Sequence, residues 1–196
     1  MTGAERWKAT ARVRTPERLQ ALAAALAPLA HPGDVILLVG GLGAGKTTFA
    51  QGFARGLGIT VPVTSPTFTL VRQYACTGPV RQLLHADVYR LETLAEIADL
   101  GLGELVDDGG VALVEWGDAA EPVLGAGALT VSLTPAPPPD DDVRLVTVTH
   151  GTTPWSDRRG AIERVFAEVT ALGDEPVGSA GPELEPDADH AGEDSP

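Results

Sequence analysis

Residues 40–48, Gly-Gly-Leu-Gly-Ala-Gly-Lys-Thr-Thr, are the residue types that can grip a phosphate chain. Gly40, Gly45, Lys46 and Thr47 keep the spacing Gly-x-x-x-x-Gly-Lys-Ser/Thr of a phosphate-binding loop. Glycine at 43 and 45 lets backbone N–H groups converge on phosphate oxygens, and the N-terminus of a following helix adds positive potential. In such a loop Lys46 reaches the β and γ oxygens, and the Thr47 hydroxyl sits on Mg2+. The segment 40–48, with Leu42, Ala44 and Thr48 between its named residues, is therefore the candidate nucleotide-binding loop. The setting makes the pattern specific: the apolar run Val35–Val39 leads in, and a helical segment leads out. The Asn/Thr-Lys-x-Asp segment that reads a guanine edge does not occur, and Asp107–Gly110 has no apolar strand before it, so ATP is favoured over GTP.

Such a site needs an acid near Mg2+, placed at the end of a buried strand. Glu115 ends "VALVE" and Asp87 ends "LLHAD". Glu115 follows the more apolar strand and is the candidate metal acid with Thr47. Asp87 is the candidate that orients an attacking water or holds a supporting hydrogen bond. His85, Asp87 and Tyr89 alternate, which would place them on one strand face. His85 reads as a structural histidine or as an acid–base group. "TSPTFT" (64–69) supplies hydroxyls stiffened by Pro66, with Thr67 the candidate γ-phosphate sensor. Trp116, next to Glu115, is read either as core or as a transmitter of nucleotide state.

The elements that must hold these groups are readable in outline. "KATARVR" alternates like an edge strand, and Thr15 with Pro16 marks a helix start whose stripe is Leu19, Leu22, Leu26 and Leu29. Val35–Val39 reads as a buried strand, followed by a helix from Lys46 to about Leu57. Residues 59–74 read as loop then strand, "RQLLHADVYRL" as a strand, and 92–106 as a short helix broken by glycines. "VALVEWG" is a further buried strand; "ALTVSLTP" and "RLVTVTHG" are strands joined by a Pro- and Asp-rich loop. The last helix, "SDRRGAIERVFAEVTAL", begins with a Ser156 cap. The expected fold is α/β: a P-loop NTPase-like open sheet, parallel at its centre with antiparallel strands at one side, and helices on both faces.

Composition bounds the rest. The chain has 196 residues, 43% of them apolar, which suits one domain with a real core. No apolar run approaches the ~20 residues of a membrane span. "MTGAERWKAT" has neither an apolar h-region nor a twin-arginine pair, and Cys76 is the single cysteine, so the expectation is a cytoplasmic protein. Nothing beside Cys76 would activate it as a nucleophile. Of 27 acids, eight lie in residues 173–196, where there is no Lys or Arg. That stretch is expected to be a disordered acidic tail on a nucleotide-binding domain spanning 1–172. The remainder has 19 acids against 14 bases, and no basic face for gripping RNA or DNA directly.

"GGLGAGKTTFAQGFARGLGI", "VTSPTFTLVRQY", "HADVYRL" and "LVEWGD", in this order and spacing, resemble the bacterial TsaE (YjeE) family over about residues 8 to 150. The resemblance implies a P-loop ATPase, weak alone, that uses ATP and Mg2+. It supports threonylcarbamoyladenosine synthesis in tRNA through a TsaD–TsaB complex, contacting tRNA only indirectly. On matching positions it implies Lys46 on phosphates, Thr47 and Glu115 at the metal, and Thr67 and Asp87 in the catalytic set. Tyr89, Arg90 and Trp116 become candidates for coupling to the partner. Gly41 departs from the family pattern, which has an acidic residue there. The competing readings are a small-molecule kinase, for which no arginine-rich lid is visible, and a nucleotide-dependent interaction module without turnover.

Overall fold

The computed structural model describes residues 7–140, 142–150 and 155–171. The acidic stretch 173–196 lies outside the described residues. Seven strands form one sheet: β1 (Trp7–Val13), β2 (Val35–Val39), β3 (Val71–Ala75), β4 (Gln82–Asp87), β5 (Gly110–Glu115), β6 (Leu129–Pro135) and β7 (Arg144–His150). Their order is β1-β7-β6-β2-β5-β4-β3. The four central strands, β6, β2, β5 and β4, run parallel. Antiparallel pairing lies at both sides, β3 against β4 and β6–β7–β1, where one side was expected. The added edge follows from the short link between β3 and β4, since a chain that returns within a few residues can only pair antiparallel.

The helices are α1 (Pro16–Leu26), α2 (Lys46–Gly56), α3 (Leu94–Asp99), α4 (Leu102–Asp107), α5 (Gly117–Leu124) and α6 (Arg159–Ala171). Strand alternation divides the core in two. Ile36, Leu38, Val111 and Leu113 face α1, α2 and α6 through Leu22, Phe49, Phe53 and Phe166. Leu37, Ala112 and Val114 face α3, α4 and α5 through Ile97, Leu102 and Ala120. β5 is buried along its whole length, as a continuous apolar run between two helical layers requires.

Local chemistry sets the element ends. The Thr15 hydroxyl accepts from the Arg18 N–H with Pro16 in the first turn, so α1 starts where the sequence places it. Thr93 and Glu96 form a reciprocal capping box on α3, and Gly101 separates α3 from α4. Three expectations change. α5 was not foreseen, because eight residues with an internal Pro122 carry little helical signal. Ser156 does not cap α6; it lies inside a 3₁₀ turn, Trp155–Arg158, that precedes the helix. β4 stops at Asp87, so Tyr89 does not continue its face. The Asp87 carboxylate takes the Tyr89 N–H at 2.9 Å and closes a turn there.

Two tertiary contacts lock the phosphate-loop helix and the turn that precedes α6. The Arg158 guanidinium is buried on the Asp34 carboxylate and also donates to the Leu29 carbonyl at 2.8 Å, beneath the Trp155 ring. α2 lies so close to α1 that a Cβ at Gly52 would fall on the Gln20 backbone. Backbone cannot move aside as a flexible side chain can. Gly52→Ala is therefore expected to destabilise the fold by ~1–3 kcal/mol, read as a lower urea midpoint with an unchanged slope.

Candidate functional site

Three parallel strands end on one line. Leu38 of β2 is opposite Glu115 of β5, and Glu115 is opposite Asp87 of β4. Both acids are the last residues of their strands, and the loop begins two residues beyond Leu38. In open α/β sheets the carboxyl edge of the parallel strands is where ligands bind, because strand ends and helix starts converge there. A cleft of about 260 Å³ lies at this edge, lined by Leu42–Thr48, Ser65, Thr67, Asp87, Glu115 and Trp116.

The loop has the backbone its glycines allow. Gly43 and Gly45 take φ of +73° and +105°, conformations that a side chain would strain. Gly45 is the N-cap of α2 and has no side chain to cap it, so the first N–H groups of the helix stay open to the cleft. A Cβ at Gly41 would meet nothing within 4 Å, so packing does not demand the glycine that replaces the family's acidic residue.

Lys46 is 5% exposed. Its ammonium donates to the Gly40 and Gly41 carbonyls at 2.7 and 2.9 Å and lies 3.7 Å from the Trp116 ring centroid. Burial lowers its pKa from the ordinary value, opposed by the nearby charges of Glu115, Asp87 and Asp118. The Thr47 hydroxyl donates to the Glu115 carboxylate, at 2.9 Å to Oε1 and 3.2 Å to Oε2. Glu115 is 3% exposed and also meets His85 Nε2 at 2.9 Å. Asp87, equally buried, accepts from the Thr67 hydroxyl at 2.6 Å, and Thr67 is 2.7 Å from the Ser65 hydroxyl. The loop 64–69 is thus tied to the strand edge through Thr67.

The three residues proposed to couple outward separate into two groups. The Trp116 and Tyr89 rings meet at a tilt of 35° with centroids 4.6 Å apart, so Lys46, Trp116 and Tyr89 form one continuous line of contact from the loop to the surface. Trp116 holds a left-handed backbone, φ 63°, which is rare for a bulky residue and aims its ring over the lysine. Arg90 does not line the cleft. Its guanidinium lies 4.5 Å from the ring centroid of Phe68, which is 84% exposed on the outer rim.

Sequence reasoning attached no chemistry to a second groove, about 160 Å³, on the other side of the loop. It is lined by Arg14, Thr15, Pro16, Leu19, Gly43, Ala44, Gly45, Thr48, Asp142 and Arg144, among others. Gly43, Ala44, Gly45 and Thr48 belong to both clefts. Nothing in the local sequence marks Arg14 or Arg144, because they lie just after β1 and at the start of β7, far from the loop along the chain.

The oxygen set suits a hard divalent cation: a hydroxyl and a carboxylate at one point, beside an open helix N-terminus. Among the described residues no group of three His, Cys, Asp or Glu gathers to hold a metal unaided. A cation here would share Thr47 and Glu115 with oxygens brought by its ligand, which is the way Mg2+ binds with nucleotides. Among the described residues no helix is long and apolar enough to cross a membrane.

Comparison with known proteins gives the same family as the motifs. The family model for the threonylcarbamoyl adenosine biosynthesis protein TsaE matches residues 13–140. A tRNA threonylcarbamoyladenosine biosynthesis protein TsaE from Bacillus subtilis is 47% identical over 138 residues, covering 70% of this chain and 83% of that protein. Its Streptomyces coelicolor counterpart is 41% identical over 133 residues, covering 67% and 89%. The crystal structure of Bacillus subtilis YdiB superposes with a TM-score of 0.63 at 36% identity, over 85% of this chain and 97% of that one. With the family model matching residues 13–140 and these relatives covering two thirds or more of it, the chain belongs to the TsaE family of tRNA threonylcarbamoyladenosine biosynthesis proteins.

Proposed function

We propose that this protein binds ATP with Mg2+, hydrolyses it slowly alone, and uses the nucleotide state to act on a TsaD–TsaB-like complex. That complex would carry out threonylcarbamoylation of the adenosine beside the tRNA anticodon. The observation that carries the nucleotide reading is the Thr47–Glu115 hydrogen bond. It joins the hydroxyl of the phosphate loop to an acid 68 residues away at the end of β5. A glycine-rich turn without a ligand has no use for a buried carboxylate at that point, since burying a charge is costly unless it is paired.

In this reading the N–H groups of the loop and of the first turn of α2 would hold the phosphates. The groove beside Thr15 and Arg144 would receive the nucleoside, since Gly43–Gly45 and Thr48 border both spaces. Mg2+, when bound, neutralises charge that develops on the phosphate oxygens. Thr47 and Glu115 would hold it. Lys46 leaves the Gly40 and Gly41 carbonyls and places its ammonium on the phosphate chain. Asp87, held by the Tyr89 N–H and the Thr67 hydroxyl, is a fixed acceptor for an attacking water or for the hydroxyl that positions it. Trp116 loses its cation when Lys46 moves, so the exposed Tyr89 ring feels the nucleotide state through the ring contact. A protein surface is the natural reader, because the sequence has no Lys/Arg cluster beyond Arg158–Arg159 and no arginine-rich segment to serve as a lid.

Four outcomes test this. Lys46→Ala removes the charge on the phosphates and should cost ~1.5–3 kcal/mol of ATP binding or transition-state stabilisation. Unchanged affinity and turnover would refute the site. Glu115→Gln should blunt the Mg2+ dependence of binding. Asp87→Asn should lower kcat about tenfold or more with little change in affinity, as for a group acting mainly in the transition state. Finally, titration of a purified TsaD–TsaB pair should give affinities that differ by about tenfold between ATP-analogue and ADP states, which needs only ~1.4 kcal/mol of differential contact. Equal affinities with rapid phosphorylation of a metabolite would favour a kinase.

A further inference from the structure

We infer that His85 is a positioning residue for Glu115, fixing the carboxylate in the orientation that serves Thr47 and the divalent cation; this rests on the Mg2+–nucleotide reading above. His85 sits within β4, opposite Leu113 of β5, and is 0% exposed. It does not line the cleft, so it is out of reach of phosphate or water there. Its strand neighbours Leu83, Leu84 and Ala86 are all buried apolar residues. An imidazole in such surroundings is an expensive way to fill space.

What distinguishes it from a core histidine is the partner of its ring. Nε2 meets Glu115 Oε1 at 2.9 Å, while Nδ1 is buried and has no partner. Oε1 also accepts from the Thr47 hydroxyl, so in this bond the carboxylate accepts again and His85 Nε2 donates. The bond that the buried ring makes to Glu115 ends on the cleft acid, which ties His85 to the site rather than to the surrounding core.

The carboxylate geometry shows what the bond accomplishes. Oε1 takes His85 and the nearer Thr47 contact, at 2.9 Å each, and Oε2 has only the longer Thr47 contact at 3.2 Å. The oxygen away from His85 is therefore the one with spare acceptor capacity toward the cleft. Thr47 touches both oxygens, so the bond to His85 is what makes them unequal and sets the rotation of the carboxylate. Hydrogen bonds of this kind to a metal-binding carboxylate commonly change metal affinity by about 10–100-fold.

The test compares His85→Leu, His85→Asn and His85→Gln in the full chain. Glutamine can place an N–H near the Nε2 position; asparagine is too short to reach Glu115; leucine fills the space without a donor. Calorimetry would measure ADP binding across a Mg2+ series and in EDTA, with thermal melts in EDTA. Expected are a rise of about tenfold in the half-saturating Mg2+ concentration for His85→Leu and His85→Asn, and a value within about threefold of the parent for His85→Gln. ADP affinity in EDTA should stay within about twofold for all three. An unchanged Mg2+ series in His85→Leu, or equal losses with and without Mg2+, would overturn the inference. So would failure of both His85→Leu and His85→Asn to fold, which would assign the residue to stability. A parent whose ADP binding ignores Mg2+ would instead refute the nucleotide reading itself.

Discussion

The parallel register of three strands is the constraint on which the rest depends. Leu38, Glu115 and Asp87 stand side by side across β2, β5 and β4, so three strand ends come out at the same height. A slip of one residue in β4 or β5 would turn its acid to the opposite face, away from α2. That slip is opposed by the core itself, because it would also exchange the two sets of apolar side chains that pack on the two helical layers. The position of the site is thus held by hydrophobic burial on both faces of the sheet, far more area than the site itself contains.

Within that frame the site gathers an unusual density of buried charge. Lys46, Asp87 and Glu115 are each 5% exposed or less, with His85 fully buried beside them. Isolated, each ion would be costly in a low-dielectric interior. Each is instead given polar partners: loop carbonyls for Lys46, Thr67 and the Tyr89 N–H for Asp87, Thr47 and His85 for Glu115. The partners are mostly hydroxyls and carbonyls rather than opposing ions. Such partners can be exchanged for a ligand's oxygens at little cost, whereas a tight ion pair would have to be broken first.

The same economy links the site to the surface. Lys46 touches Trp116, and Trp116 touches Tyr89, which is 61% exposed. The loop 64–69 reaches Asp87 through Thr67 and ends beside Phe68, where Arg90 lies on an exposed ring. With Leu42 94% exposed at the tip of the phosphate loop, the mouth of the cleft is rimmed by apolar and aromatic side chains. Exposed aromatics around a nucleotide cleft are better suited to a protein partner than to solvent.

Much of this was legible in the chain by itself, and the reason is locality. The phosphate loop, its leading strand and its helix are contiguous, so spacing and glycine positions describe them fully. Glu115 and Asp87 stood out because each closes an apolar run, and the start of α1 was set by Thr15 and Pro16 through bonds within four residues. What sequence could not supply were pairings between distant segments. The groove formed by Arg14 and Arg144 beside the loop and the bond from His85 to Glu115 join residues tens of positions apart. α5 escaped notice because it owes its existence to Ala120 packing against the sheet rather than to helix propensity. Tyr89 was assigned to a strand by alternation, yet the Asp87 carboxylate ended that strand by capturing its N–H. Local chemistry fixes the kind of group at each position, but which groups meet depends on strand register, and register is settled only when both faces of the sheet are buried at once.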